Sequence, residues 1–275
     1  MAKKTELVVK ANVLIEASYR LGLVEQQLIL HAICRAREEQ KGLFADQPIT
    51  IRATDFGAQF GMGADNVYRQ LKEAMATLYA RTVTIHDTHP ETGLPRVTET
   101  RWISDKSYID GAGMVEITFG HKVIPYITRL ESEFTSYRLT KIGKFTSGHA
   151  VRLYELLVQY LSIGKRSIEL AWLRKTLSIE GEYTVLADFK KRVIDLSVSQ
   201  INTHSDIQVS YTQRKTGRVI THLDFTILDK SKVSAKKPRV KKITAGGSDA
   251  RAKPGESQDA FERRMLEQQG QQCLI

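Results

Sequence analysis

Cysteine is nearly missing from this chain, with two residues in 275. Cys34 falls inside an apolar helical pattern and Cys273 lies close to the end, so neither a disulfide framework nor metal-ligand spacing can be built from them. Long apolar runs are missing too. No stretch approaches the roughly 18 consecutive apolar residues of a membrane span, and the start MAKKTELVVKANVLIE lacks the sustained apolar segment and small-residue cleavage site of a secretory signal. A cytoplasmic protein is expected. Catalytic motifs are equally scarce. The stretch FGMGAD places two glycines before a helix but lacks the third glycine and the preceding strand of a dinucleotide site, and no Gly-Lys-Ser/Thr phosphate loop occurs. His86 and His89 have no third ligand nearby. The histidine pair flanking a hydrophobic residue, which metal-dependent nicking enzymes use, does not occur. Ten tyrosines keep a tyrosyl nucleophile open by count alone, but no enzyme, cofactor or metal site is expected.

Positive charge is present in excess and unevenly placed. The net charge is +10; residues 1–140 are neutral, 141–229 carry +4 and 230–275 carry +6. This asymmetry steers and holds phosphates, so a polyanion is the leading partner, against the plainer reading of a basic protein with a solubilising tail. An apolar content of 41% with 26% charged residues suits a chain that forms cores, and its length allows two domains.

Hydrophobic spacing predicts one succession of elements and then repeats it. Residues 24–37 align Leu28, Ile29, Ala32, Ile33 and Ala36 on one helical face. A short strand at 49–51 and a short helix at 53–60, with Thr54 as N-cap candidate, lead to a glycine break at 61–63. A longer helix at 64–81 places Val67, Leu71, Ala74, Met75 and Leu78 on one side. Residues 82–87 and 100–110 read as strands of one long hairpin, 114–119 as a further strand and 122–130 as a short helix. From 146 the order returns: a helix closed by Gly164, a strand at 166–170, a short helix at 171–179, a break at Gly181 and a longer helix over 186–202. Asp188 is a candidate N-cap if that helix starts late. Strands at 206–213 and 218–228 follow, around a tight turn. Helix, strand, helix, turn, helix and hairpin, met twice, predict an α+β fold of two tandem winged-helix domains related by a pseudo-repeat. The expected boundaries are 1–135, 136–229 and a basic tail over 230–275. The tail's Lys, Ser, Gly and Pro content predicts disorder, with 259–269 able to form a short amphipathic helix.

The stretch DFKKRVIDLSVSQIN at 188–202 carries the sharpest functional signal. At about 100° per residue, Phe189, Val193 and Leu196 share one side, with Gln200 continuing the row. Lys191, Arg192, Asp195, Ser199 and Asn202 occupy the opposite arc, and Lys190 lies on the flank. As the second helix of a helix-turn-helix it would enter a major groove, where Arg pairs with guanine, Lys neutralises phosphate, and Ser or Asn bonds to bases or backbone. An isolated helix of this kind is more often a solvated amphipathic face; its place after a helix and a glycine break reverses that preference. Arg214, Lys215 and Arg218 cluster at the following hairpin and would act as a wing on a neighbouring phosphate row. A charged edge hairpin that resists aggregation is the competing reading. The matching helix of the first unit offers Arg69 and Lys72 in a mixed-sign surface, suited to auxiliary phosphate contact or to a protein partner.

The segments VVKANVLIEASYRLGLVEQQLIL at 8–30, KFTSGHAVRLYELLVQY at 144–160 and 188–225 resemble iteron-binding plasmid replication initiators of the RepA/RepE type. The resemblance spans about 8–228, and its last two segments are the more specific. It implies a C-terminal domain that reads direct repeats at a plasmid origin, and an N-terminal domain that contacts the other part of each repeat in the monomer and forms the interface of a dimer. It further implies origin opening with recruitment of the host initiator and replicative helicase by monomers, and repression of the protein's own gene by dimers on an inverted repeat. Carried over by position, DNA contacts fall on Lys190, Lys191, Arg192, Arg214, Lys215 and Arg218. Lysine stands at 190 and 191 where relatives often have arginine, and the lysine-rich tail is not shared. A winged-helix transcriptional repressor and, further off, a nicking enzyme are the alternatives.

Overall fold

The computed structural model describes residues 6–234 apart from 43, 45 and 129–132. The disorder expected of 235–275, the amphipathic segment at 259–269 and Cys273 lie outside the described residues. The chain runs β1 (Leu7–Ala11), α1 (Asn12–Glu16), α2 (Leu23–Glu39), β2 (Ile49–Arg52), α3 (Ala53–Phe60), α4 (Ala64–Leu78), β3 (Thr82–Thr88), β4 (Pro95–Arg101), β5 (Ile103–Ile109), β6 (Met114–Phe119), α5 (Pro125–Thr128) and β7 (Phe134–Arg138). It continues through α6 (Gly148–Val158), β8 (Lys165–Glu169), α7 (Leu170–Thr176), α8 (Leu186–Phe189), a π-helical turn (Lys190–Asp195), α9 (Leu196–His204), β9 (Ile207–Thr216), β10 (Val219–Asp229) and α10 (Lys230–Ser234).

The expected duplication is present in the sheets. The first half holds an antiparallel sheet in the order β2-β6-β5 and the second one in the order β8-β10-β9, so equivalent strands occupy equivalent places. Each sheet backs a helix-turn-helix, α3–α4 in one half and α7–α8–α9 in the other. The first wing is therefore the β5–β6 hairpin. The hairpin expected from 82–110 is divided: β3 pairs with β4 in a separate two-stranded sheet, and β5 pairs with β6. Trp102 causes the division. It stands between β4 and β5, is fully buried, and packs edge-on against Tyr19 with ring centroids 4.8 Å apart, which turns the chain from one sheet into the other.

Two helix starts differ from expectation. α3 begins at Ala53 after Arg52, and α8 begins at Leu186 after Val185, so Thr54 and Asp188 lie inside the first turns and neither caps a helix. Gly164 has φ +77° and its N–H donates to the Tyr160 carbonyl at 2.8 Å, as a turn that leaves a helix requires. Residues 230–234, assigned to the tail, form a short helix whose Lys230 ammonium donates to the carbonyls of Asn202 and Ser205, each at 2.7 Å.

Neither half is insulated from the other. β1 pairs antiparallel with β7, so the boundary expected at 135/136 falls inside a strand. α2, read as one-sided, buries Glu25, Gln26, Gln27 and His31 along with its apolar face: Glu25 pairs with Arg81, His31 packs on Phe56 and Phe60 of α3, and α6 comes against the helix start. A Cβ added at Gly148 would stand 3.1 Å from the Leu21 carbonyl and 3.3 Å from Gln26 Nε2. Beneath this contact lies an ionic cluster: Lys10 Nζ is 2.8 Å from Glu155 Oε1, the Tyr137 hydroxyl donates to the same oxygen at 2.6 Å, and Arg152 donates to the carbonyls of Ile15 and Ala17, each at 2.9 Å. All three charged side chains are buried.

Candidate nucleic-acid interface

The second helix-turn-helix carries the expected basic face, with a different internal register. Exposed positions along it are Ala187, Asp188, Lys191, Arg192, Asp195, Leu196, Ser199, Thr203 and His204; buried ones are Phe189, Val193, Ile194, Ser197, Gln200 and Ile201. Phe189 and Val193 thus lie in the core as expected, but Leu196 is 45% exposed and Ser197 is fully buried. The π-helical turn over Lys190–Asp195 accommodates an extra residue, and every position beyond it rotates relative to a uniform 3.6-residue wheel. Ser197 tolerates its place because its hydroxyl donates to the Val193 carbonyl at 2.5 Å.

Among the described residues, Lys190, Lys191 and Arg192 form no ion pair and no side-chain hydrogen bond, and Lys191 and Arg192 are exposed. Lys190 is half-buried on the flank. Lys215 and Arg218, on the wing, are exposed and equally unengaged. The wing loop consists of Gly217 and Arg218 between the paired residues Thr216 and Val219. Gly217 has φ +63°, and a positive φ at the first loop residue of a two-residue hairpin is where glycine is favoured. Ser199 is exposed on the helix face.

Three other candidates serve the protein's own framework. Asn202 clamps the helix end to β9, donating to the Val209 carbonyl at 2.8 Å and accepting from the Val209 N–H at 2.7 Å. Asp195 accepts from the Tyr211 hydroxyl at 2.5 Å, joining helix to wing strand; burial and this carboxylate push the tyrosine's pKa up. Arg214 lies across the sheet, with Nε 3.2 Å from Asp224 Oδ2 and a second nitrogen 2.6 Å from Ser167 Oγ.

In the first half, Arg69 pairs with Glu73 at 3.0 Å and Lys72 with Asp110 at 2.8 Å, so both cations of α4 are balanced locally. The hydrogen bonds from Lys72 and Tyr68 hold the Asp110 carboxyl below its usual range. The helix pattern did not show the neighbouring row of alternating cations and rings. Lys106 Nζ stands 5.1 Å from the Tyr79 ring and 5.8 Å from the Tyr108 ring, Arg101 is 5.3 Å from Tyr79, and Lys72 is 5.3 Å from Tyr108. Strand alternation places Lys106 and Tyr108 on one side of β5, but strand spacing does not show that Lys72 and Tyr79 come against them. No group of three or more His, Cys, Asp and Glu side chains suited to a metal occurs among the described residues.

Residues 7–158 match the family described as initiator replication protein, WH1, and residues 169–227 match initiator Rep protein, WH2. The fold is similar to that of the Pi initiator protein, solved in complex with iteron DNA, at a TM-score of 0.62 and 20% identity, covering 83% of this chain and 99% of that one. The WH1 domain of MSBI1.176, a replication protein isolated from a multiple sclerosis patient, is 42% identical over 44% of this chain and 90% of that domain, with a TM-score of 0.37. An uncharacterized 27.6 kDa protein of Escherichia coli is 25% identical over 230 residues, covering 80% of this chain and 93% of its own length. With WH1 and WH2 matched in order over two tandem winged helices, the chain belongs to the initiator replication protein family.

Proposed function

We propose that this protein is a plasmid replication initiator that binds direct repeats at an origin as a monomer and uses the binding energy over adjacent repeats to open neighbouring AT-rich DNA. In this reading it recruits the host initiator and replicative helicase, and as a dimer it represses its own gene at an inverted repeat. It acts by binding and not by catalysis. The observation that carries the proposal is the pairing of two unengaged basic surfaces in one winged helix, Lys191 and Arg192 on the helix face and Lys215 and Arg218 on the wing. Such surfaces suit base edges and phosphates on adjoining parts of a duplex. Family membership supports the same reading. Lys190 and Ser199 join this surface as contacts, whereas Asp195, Asn202 and Arg214 act mainly by holding its parts in place. Arg69 and Lys72 supply auxiliary phosphate contacts once their acidic partners are displaced.

The second reading, a repressor without origin-opening activity, uses the same surfaces. Footprinting across the DNA flanking the gene, combined with permanganate probing of unpaired thymines, separates the two. Protected tandem repeats with reactive thymines in an adjacent AT-rich stretch are expected of an initiator. Protection of a promoter palindrome alone would move the protein to the repressor reading.

A further inference from the structure

We infer that Leu196 reads a thymine methyl group in the major groove and so determines sequence specificity together with the adjacent cations. The inference rests on the proposal that α8 and α9 enter the groove. An exposed leucine is ordinary by itself; its displacement from the buried row by a π-helical turn is not. On a regular helix continued from Phe189, position 196 falls two turns on, in the middle of the buried row, and 197 at its edge. The π-helical turn moves 196 out of that row and brings 197 into its centre, leaving Leu196 at 45% exposure and burying Ser197 completely. The fold thus places a hydroxyl in its core and a branched apolar side chain outside, against the normal direction of the hydrophobic effect. Turns of this kind are rare and recur at functional sites.

Leu196 emerges between Lys191 and Arg192 on one side and Ser199 on the other, within the exposed row of the helix. Its direction is fixed on both sides. Asp195 is bonded to Tyr211 of the wing strand, and Ser197 is anchored to the Val193 carbonyl. A groove-facing apolar group needs an apolar counterpart, and the thymine 5-methyl is the one the major groove displays.

The experiment selects duplexes from a random pool with the full-length protein. Each thymine of the recovered consensus is then replaced by deoxyuridine, which removes only the methyl group. Affinities are measured for the wild type, Leu196→Ala and Leu196→Met. The wild type is expected to lose about fourfold at one thymine of each repeat, the worth of one buried methyl. Leu196→Ala should lose at least as much on the parent duplex and nothing further at that thymine, and Leu196→Met should keep part of the sensitivity. Thermal melting of both variants should match the wild type, since the side chain is exposed. Deoxyuridine effects in Leu196→Ala equal to those of the wild type at every position would overturn the assignment of Leu196 while leaving the DNA-reading helix intact. Recovery of no consensus would overturn both.

Discussion

Asp195 accepts a hydrogen bond from Tyr211 at 2.5 Å, tying the basic helix to its wing. The first half makes the equivalent tie with the partners exchanged, Tyr68 on the helix donating to Asp110 at the wing tip at 2.7 Å. In both winged helices one tyrosine–aspartate bond sets the angle between the two parts of the surface. Under the proposed function the bond in the second half matters more, since that helix and wing carry the unengaged cations. Tyr211→Phe removes the hydroxyl and little else. It should cost no more than about 1 kcal/mol of stability in chemical denaturation, while DNA affinity measured by fluorescence anisotropy falls about three- to tenfold because helix and wing no longer share a fixed angle. Affinity unchanged within twofold would show that the wing does not depend on this tie.

Lys191 and Arg192 have no partners within the described residues, so replacing both by alanine removes charge without breaking an internal bond. Stability should change by less than about 0.5 kcal/mol. Binding to origin repeats should weaken, and the slope of log affinity against log salt should decrease in magnitude by roughly 2 if each contacts a phosphate. Titrations at four or more salt concentrations measure the slope directly. A slope and affinity equal to wild type would remove this face from the interface.

Much of this architecture was legible in the sequence because apolar periodicity records which side of each element is buried, and the same order of elements occurs twice. Lys191 and Arg192 could be placed because charge on a helix face depends only on local spacing. What was hidden depends on partners distant in the chain. Nothing in residues 7–11 alone says that they pair with 134–138, and α2 looked one-sided because the partners of its polar residues, Phe56, Arg81 and the start of α6, lie on later elements. Leu196 was assigned to the core because a uniform wheel has no place for the extra residue of a π-helical turn. Asn202 and Arg214 were expected to contact DNA, and residue type does not reveal that Val209 and Asp224 also engage them.

Gly120 holds the point where the first sheet passes its neighbour. Its N–H donates to the Trp102 carbonyl at 3.0 Å, and a Cβ there would lie 2.4 Å from the Arg101 carbonyl oxygen, a backbone atom with no freedom to swing aside. Gly120→Ala should therefore displace the chain around Trp102 and destabilise by about 1–3 kcal/mol, with lowered near-ultraviolet dichroism from the tryptophan. An alanine variant as stable as the wild type would mean that the β4–β5 corner yields without strain.

Acid should loosen the junction of the two halves in two stages. His149, at the start of α6, is held below its usual value of 6.5 by burial and by the charges of Arg20 and Arg152. The folded state therefore favours neutral imidazole, and stability falls as pH drops below about 6.5, where the unfolded chain takes up the proton first. Glu155 follows at lower pH. Burial works to raise its pKa, but Lys10 and Arg152 overcome this and hold it below the usual carboxylate range. Its contribution is complete above the unfolded value of about 4.3 and is lost as pH falls through the lower folded value. Glu155→Gln leaves two buried cations without their carboxylate and should cost about 3–5 kcal/mol at neutral pH. Relative to wild type, its stability should depend less on pH below about 4.5, while the loss near 6.5 persists. His149→Gln should show the reverse, keeping the lower stage and flattening the upper one. Urea denaturation of the three proteins from pH 8 to pH 3 resolves the stages; a Glu155→Gln curve parallel to wild type throughout would show that another carboxylate governs the acid limb.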